Sequence, residues 1–404
     1  MQNASFLSPT RIVIGRAAEE QVGELVRQYG GRKALIHFGG KHAKSSGLID
    51  RVEASLTAAG VAYAELGGVV PNPRLDLVYE GIELCRRENV DFILAVGGGS
   101  VIDSAKAIAI GLKYDGDVWD LFVEDNGVVR GVETQPCMPI GVVLTMAATG
   151  SEASNSCVIT KSDEQLKRFC DNDLHRPIFA VENPVLMMTL SWYQTACGIV
   201  DIMSHSMERY FCDEPTGNDL TDHLCEAIFK TCLECGRELM NKPGDYDAIA
   251  NIMLASTLSH NGLTGIGRHN NGDWCSHFIE HELSGEYDVT HGAGLAVIIP
   301  AWMKYVYKKD MTMFIKWATR VMGVAYNYAD PEATVLEGIR RTENFFRSLG
   351  LPTTMSEMPN VGIVSEETMY KMARRVRITN SDGTVGGFMR LGTEDIVNIF
   401  RLAQ

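Results

Sequence analysis

A chain of 404 residues is too long for one ordinary core and suits two domains of roughly 180–220 residues each. With 45% hydrophobic and 22% charged residues it has the composition of a globular protein, which excludes general disorder. A net charge of −14, from 37 Lys+Arg against 51 Asp+Glu, repels a phosphate backbone, so nucleic acid is not an expected partner.

Residues 1–15 carry no basic segment followed by an apolar one, and no apolar run reaches the ~20 residues of a membrane span. The ten cysteines are scattered rather than densely spaced. Cys232 and Cys235 have CxxC spacing without the second pair of a zinc ribbon, and read as buried or half-buried thiols on a helix. A cytoplasmic protein with no membrane partner is expected.

In chain order, residues 33–38, 62–66, 92–96, 138–144 and 178–181 are short apolar runs bounded by turn residues, and predict strands. Between them, 48–59 and 74–88 have apolar residues at helical spacing. Such alternation predicts parallel βαβ units. Beyond Pro184 the pattern turns helical at 193–209, 219–239, 246–261, 293–307 and 331–349. The simplest division is a dinucleotide-binding α/β domain over 1–185 and an all-α domain over 186–404, the latter carrying the metal and catalytic residues argued below.

Ala95-Val96-Gly97-Gly98-Gly99-Ser100 is a strand end, a glycine run and a helix start. Glycines admit close approach of a pyrophosphate, and the helix N-terminus offers unpaired N–H donors. Neither the GxGxxG nor the GxxxxGK[ST] spacing is present. A second pair, Gly39-Gly40, follows the 33–38 strand and leads into Lys41, His42 and Lys44, with no acidic residue before Asp50. A basic loop at the adenosine ribose tolerates a 2′-phosphate, which favours NADP, with NAD as the alternative.

Asp201 and His205 lie four apart in a helical segment, as do His277 and His281, and His291 precedes Gly292 at the start of the next helix. Residues i and i+4 share a helix face, so each pair can point into one site. These five are candidates for a centre that needs an open coordination position, so one is expected outside the ligand set. Carboxylate and imidazole donors suit Fe²⁺, Zn²⁺, Mn²⁺ or Co²⁺ rather than Mg²⁺ or Ca²⁺.

Taken with Val70-Pro71-Asn72-Pro73 and Thr145-Met146-Ala147-Ala148-Thr149-Gly150-Ser151-Glu152, and with Asp103 and Lys106 after the glycine run, these motifs agree in order along nearly the whole chain. The sequence resembles the iron-containing (group III) alcohol dehydrogenase family, in its butanol-dehydrogenase-like branch. The resemblance implies a dehydroquinate synthase-like architecture and a homodimer. It implies Asp201, His205, His277 and His291 as ligands of Fe²⁺, or of Zn²⁺ or Mn²⁺. His281 matches a histidine beside the nicotinamide that does not ligate, and is the expected proton relay; Asp201 and His281 are the expected catalytic residues. Gly98, Gly99 and Ser100 match the pyrophosphate loop, Asn72 a cofactor contact, and Thr145, Thr149 and Lys167 positions lining the nicotinamide half; Gly39, Gly40, Lys41 and His42 fall at the adenosine end. Relatives often carry a glycine run ending in Ser at that last place, where this chain has Gly39-Gly40-Lys41-His42. The implied reaction moves hydride between NAD(P)(H) and a small primary alcohol or aldehyde, of the butanol/butanal kind. Lyases of the dehydroquinate synthase type share the architecture, but their polyanionic substrates need clustered Lys/Arg. Met146, Phe278 and Trp274 stand near the expected site instead, with Lys167 and Arg268 as its few cations.

Overall fold

The computed structural model describes residues 2–122, 135–212, 217–268 and 271–404, with the backbone alone at 41 and 42. By contact these form two compact units, Leu7–Leu190 with Ile249–Thr257, and Met1–Phe6, Ser191–Ala248 and Leu258–Gln404. The sequence suggests a single cut near 185; the observed partition is interleaved, because the middle of a later helix, Ile249–Thr257, groups with the first unit.

The first unit holds β1 (Arg11–Ile14), β2 (Lys33–Phe38), β3 (Ala62–Leu66), β4 (Phe92–Gly97), β5 (Ile140–Leu144), β6 (Ser156–Lys161), β7 (Leu166–Asp171) and β8 (Phe179–Glu182). Six of them make a parallel sheet in the order β1-β8-β5-β4-β2-β3, while β6 and β7 pair as an antiparallel hairpin. Every residue of β4 and β5 is buried. That is why both read as continuous apolar runs rather than alternating ones. Helices α1 (Val22–Gln28), α2 (Lys41–Ser45), α3 (Leu48–Ala58), α4 (Leu75–Glu88), α5 (Gly99–Gly111) and α6 (Pro184–Met187) complete the unit's own segment. From β2 the chain steps outward to β3, then returns to lay β4 on the other side of β2. Open α/β sheets bind ligands at the carboxyl ends of the strands where the order reverses. Here that point lies between β2 and β4, whose ends carry Gly39-Gly40 and Gly97-Gly98-Gly99.

The expected strands correspond to β2, β3, β4, β5 and β8. The sequence reading did not anticipate β1 or the β6–β7 hairpin.

The helical part comprises α7 (Trp192–Tyr210), α8 (Asp219–Asn241), α9 (Tyr246–His260), α10 (Cys275–Tyr287), α11 (His291–Val306), α12 (Met311–Lys316), α13 (Pro331–Ser348), α14 (Glu366–Arg375) and α15 (Thr393–Ala403). α7 starts at a capping box in which Ser191 and Gln194 satisfy each other's backbone. From Thr195 to Tyr210 it is buried on every face, as a helix at the centre of a bundle must be. Cys232 is buried and Cys235 half-buried on α8. Among the described residues no helix is long and apolar enough to cross a membrane.

Candidate functional site

The helix-face argument from sequence places Asp201 and His205 one turn apart on α7, and His277 and His281 one turn apart on α10. His291 is the first residue of α11, behind Thr290 at its N-cap. All but His291 are buried. Donor atoms of Asp201, His205 and His277 lie within 4.8 Å of one another. His291 Nε2 is 3.6 Å from Asp201 Oδ1. α11 comes this close to α7 because residue 292 is glycine: a Cβ there would meet the Cys197 carbonyl oxygen at 2.2 Å.

Each of the three rings is held through Nδ1. The Asp201 carbonyl accepts from His205 Nδ1 at 2.8 Å. Glu208 Oε1 accepts from both the backbone N–H and Nδ1 of His277, at 3.0 and 2.8 Å. Glu280 Oε2 accepts from His291 Nδ1. A proton on Nδ1 of a neutral imidazole leaves Nε2 with a free lone pair. Burial, and then His260 and His277, hold the His205 pKa well below the usual imidazole range, so that ring is neutral. His277 Nε2 is buried with no hydrogen-bond partner. A buried, orphaned lone pair costs about 1–3 kcal/mol unless something fills it. The donor set, one carboxylate and three imidazole Nε2 atoms, fits a borderline divalent metal, and a backbone carbonyl behind His205 and carboxylates behind His277 and His291 are the usual supports of such ligands.

A second set, Glu280, His281 and His291, meets the same distance limit. Glu280 is already committed to His291 Nδ1 and to the Ser284 hydroxyl. His281 stands to the side, its ring centroid 6.5 Å from that of His277 and 5.7 Å from that of His291.

Three functional neighbours escaped the sequence reading. Glu208 and Glu280 follow His205 and His277 by three positions, a same-face spacing that could have flagged them. His260, from α9, stacks on His205 with centroids 4.2 Å apart. Trp274 precedes α10 at φ 63°, with the Arg209 guanidinium 4.6 Å from its ring centroid. Arg209 also donates to the His205 carbonyl at 2.7 Å, which ties that wall to α7.

In the α/β unit, α5 begins at Gly99 immediately after Gly98, so its first N–H groups have no partner within the helix. Thr149 packs directly over this turn; a Cβ on Gly99 would meet Thr149 Cγ2 and Oγ1 at 2.5 Å. Thr145 donates its N–H to the Gly97 carbonyl at 3.0 Å. The 145–152 loop is pinned from α9, where Ser256 Oγ accepts from Ala148 N and Gly150 N at 3.1 and 3.2 Å. Asp103 accepts from Ser151 Oγ at 2.6 Å, and Lys106 Nζ donates to the carbonyls of Ser154 and Ser156 at 2.9 and 2.8 Å. The Asp that follows the glycine run thus binds the loop, and the Lys binds the segment just after it. Asn72, buried at φ 53°, and Lys167 approach through the hairpin: Arg74 bridges Thr160, and Thr160 pairs with Lys167.

At the end of β2, the Gly39 carbonyl accepts from Gly68 N at 3.0 Å. The side chains of Lys41 and His42 lie outside the described residues. Lys44 Nζ is paired with Glu65 Oε2 at 2.6 Å. Arg268 is buried against Asp222 rather than facing the histidines.

Two family models match, "Iron-containing alcohol dehydrogenase" over residues 9–184 and "Fe-containing alcohol dehydrogenase family, C-terminal" over residues 195–404. The chain is 39% identical over 402 residues to NADH-dependent butanol dehydrogenase A of Clostridium acetobutylicum, covering 99% of each. It is 33% identical over 357 residues to the NADPH-dependent aldehyde reductase YqhD of Escherichia coli, covering 88% of this chain and 89% of that one. The crystal structure of NADH-dependent butanol dehydrogenase A from Thermotoga maritima superposes with a TM-score of 0.92 at 36% identity, covering 100% of this chain and 99% of the other. Motif order, ligand geometry and both matched halves lead to one assignment: this chain belongs to the iron-containing alcohol dehydrogenase family.

Proposed function

We propose that the chain transfers a hydride between NAD(P)H and a small aldehyde, or back from the corresponding primary alcohol, with butanal and butanol as the substrate class. The observation that carries this is the set of three imidazoles, each locked through Nδ1, that offer Nε2 beside Asp201. Asp201, His205, His277 and His291 would hold the divalent ion, Fe²⁺ first, with Zn²⁺ or Mn²⁺ as alternatives. When bound, it supplies Lewis acidity at the substrate oxygen. His281 is the proposed proton carrier at an imidazole nitrogen, because its ring flanks His291 while standing apart from the tight donor set. Gly98, Gly99 and Ser100 are proposed to bind the pyrophosphate at the start of α5. Thr145, Thr149, Asn72 and Lys167 would line the rest of the cofactor, with Gly39 and Gly40 at the adenosine end.

The sequence favours NADPH through the basic loop after β2. Lys44, however, is neutralised by Glu65, and Glu53 of α3 hydrogen-bonds the same carboxylate. A carboxylate at this end opposes a 2′-phosphate and suits a ribose 2′-hydroxyl. Together with the full-length relative named as NADH-dependent, this pairing leads us to propose NADH as the preferred cofactor and NADPH as the weaker one. A cytoplasmic setting fits the free cysteines among the described residues. The homodimer rests on the family resemblance and is read by light scattering.

The test is an aldehyde panel assayed with NADH and NADPH after loading with Fe²⁺ and with Zn²⁺ separately. Butanal reduction with a higher kcat/KM for NADH is the expected result. Full turnover by the chelated enzyme would overturn the reading, and a preference for NADPH would restore the charge argument from Lys41 and His42.

A further inference from the structure

Glu182 ends β8, is fully buried, and has no part in the chemistry above. It faces Glu152, the last residue of the 145–152 loop, across the hydroxyl of Thr257 on α9. Thr257 Oγ1 lies 2.7 Å from Glu152 Oε1 and 2.9 Å from Glu182 Oε1. A threonine hydroxyl carries one hydrogen. Were both carboxyls ionised, one contact would set an anionic oxygen against a hydroxyl lone pair in a dry site. At least one carboxyl therefore holds a proton and donates it to Thr257.

The surroundings select Glu182. Lys106 of α5 lends its charge to Glu152, whereas the charge acting on Glu182 is that of Glu152 itself. The neighbours of Glu182 in the sheet, Ile14 of β1 and Leu144 of β5, are apolar. Its second oxygen, Oε2, is buried with no hydrogen-bond partner. An unpartnered oxygen is tolerable on a neutral acid and prohibitive on a carboxylate. Burial, and then Glu152, push the Glu182 pKa up to about 8.

We propose that Glu182 is a positioning residue for nucleotide binding: as a carboxylic acid it holds Glu152 through Thr257, and with Glu152 the whole 145–152 loop over the glycine turn. This rests on reading that turn and loop as the nucleotide site. When Glu182 gives its proton to solvent, two carboxylates share one hydroxyl hydrogen and repel. The strain falls on the loop that packs Thr149 against Gly99, and Ser256 alone remains to hold it from α9.

NADH affinity is to be measured on the metal-loaded enzyme between about pH 7 and about pH 9, for the wild type and for Glu182→Gln, whose amide donates to Thr257 without titrating. Difference infrared spectroscopy over the same range reads the carboxylic-acid C=O stretch directly. In the wild type the affinity should fall about tenfold across that interval, as the competent fraction falls, and the infrared band should disappear. Burial also lowers the pKa of Lys106, which holds the carbonyls of Ser154 and Ser156, to about 8, so Glu182→Gln should keep only a smaller alkaline loss of NADH affinity and should lack the band. An alkaline loss as large in Glu182→Gln as in the wild type, or a wild type without the band, overturns the proposal. The band reports the proton without nucleotide. If it behaves as expected while Gly99→Ala leaves NADH affinity untouched, the fault lies with the nucleotide-site reading. Hydrogen exchange at 145–152 then decides: excess alkaline opening in the wild type alone supports the proposal, and equal opening in both overturns it.

Discussion

Glu208 is not among the proposed metal ligands, yet it fixes which nitrogen His277 presents. Its Oε1 takes both the ring Nδ1–H and the backbone N–H of the same residue, so tautomer and rotamer are set together. Losing such a support typically lowers metal affinity 10–100-fold. Glu208→Ala should show a loss of about that size in competition with a chelator, and His277→Ala, which removes the donor itself, should lose metal and activity together. Metal retention by His277→Ala would remove it from the ligand set. His37 makes a separate argument about pH. Its Nδ1 lies 2.9 Å from the Leu66 carbonyl and its Nε2 2.9 Å from Ser104 Oγ, which fixes the Nδ1–H tautomer with Ser104 donating to Nε2. Burial lowers its pKa from 6.5 to about 4. In that interval the unfolded chain binds a proton that the folded one does not, so stability rises with pH across it. The contribution is whole above 6.5 and is lost as pH falls towards 4, amounting to about 3 kcal/mol at about 1.36 kcal/mol per unit. Thermal unfolding at graded pH should show a shallower acid loss in His37→Gln than in the wild type.

Between elements, the close crossing of α11 over α7 places His291 beside Asp201. Because a Cβ on Gly292 would enter the Cys197 carbonyl, Gly292→Ala must push the start of α11 away or strain α7. A loss of about 1–3 kcal/mol is expected from such overpacking, with weaker metal binding alongside it. Unchanged metal affinity would mean that His291 is not held by this crossing. The pairs Asp201/His205 on α7 and His277/His281 on α10 were legible in the sequence because helical spacing is a local property: four residues apart is one face wherever the helix ends up. Glu208 and Glu280 share those faces and hold the Nδ1 of His277 and His291, and spacing alone does not distinguish such a hydrogen-bonding carboxylate from a ligand. His260 was hidden because stacking on His205 depends on the packing of α9, and the Lys44–Glu65 pair because it joins α2 to the end of β3. The β6–β7 hairpin was invisible for a different reason. Its strands SCVITK and LKRFCD mix charges with apolar residues, and the buried cross-strand partners Cys157 and Cys170 carry little β signal of their own.

For the molecule as a whole, a bound ion stabilises what binds it. With free metal at about a thousand times its dissociation constant, the gain is about 4 kcal/mol. Calorimetry should therefore show the unfolding of Ser191–Ala248 with Leu258–Gln404 moving to lower temperature on chelation and recovering when metal is restored. No response to chelation would contradict a resident metal. The interleaving of the two units has a consequence for synthesis. Once β8 has left the ribosome at Glu182, every strand of the parallel sheet exists, but Ser256 and Thr257 arrive only about 75 residues later. At ~5–20 residues per second the 145–152 loop waits roughly 4–15 s for the hydroxyls that pin it. In that time α7 and α8, which belong to the other unit, are already emerging. The nascent α/β unit must pass through a stage with its sheet complete and its glycine turn uncovered, and a chain released before residue 257 would stay there.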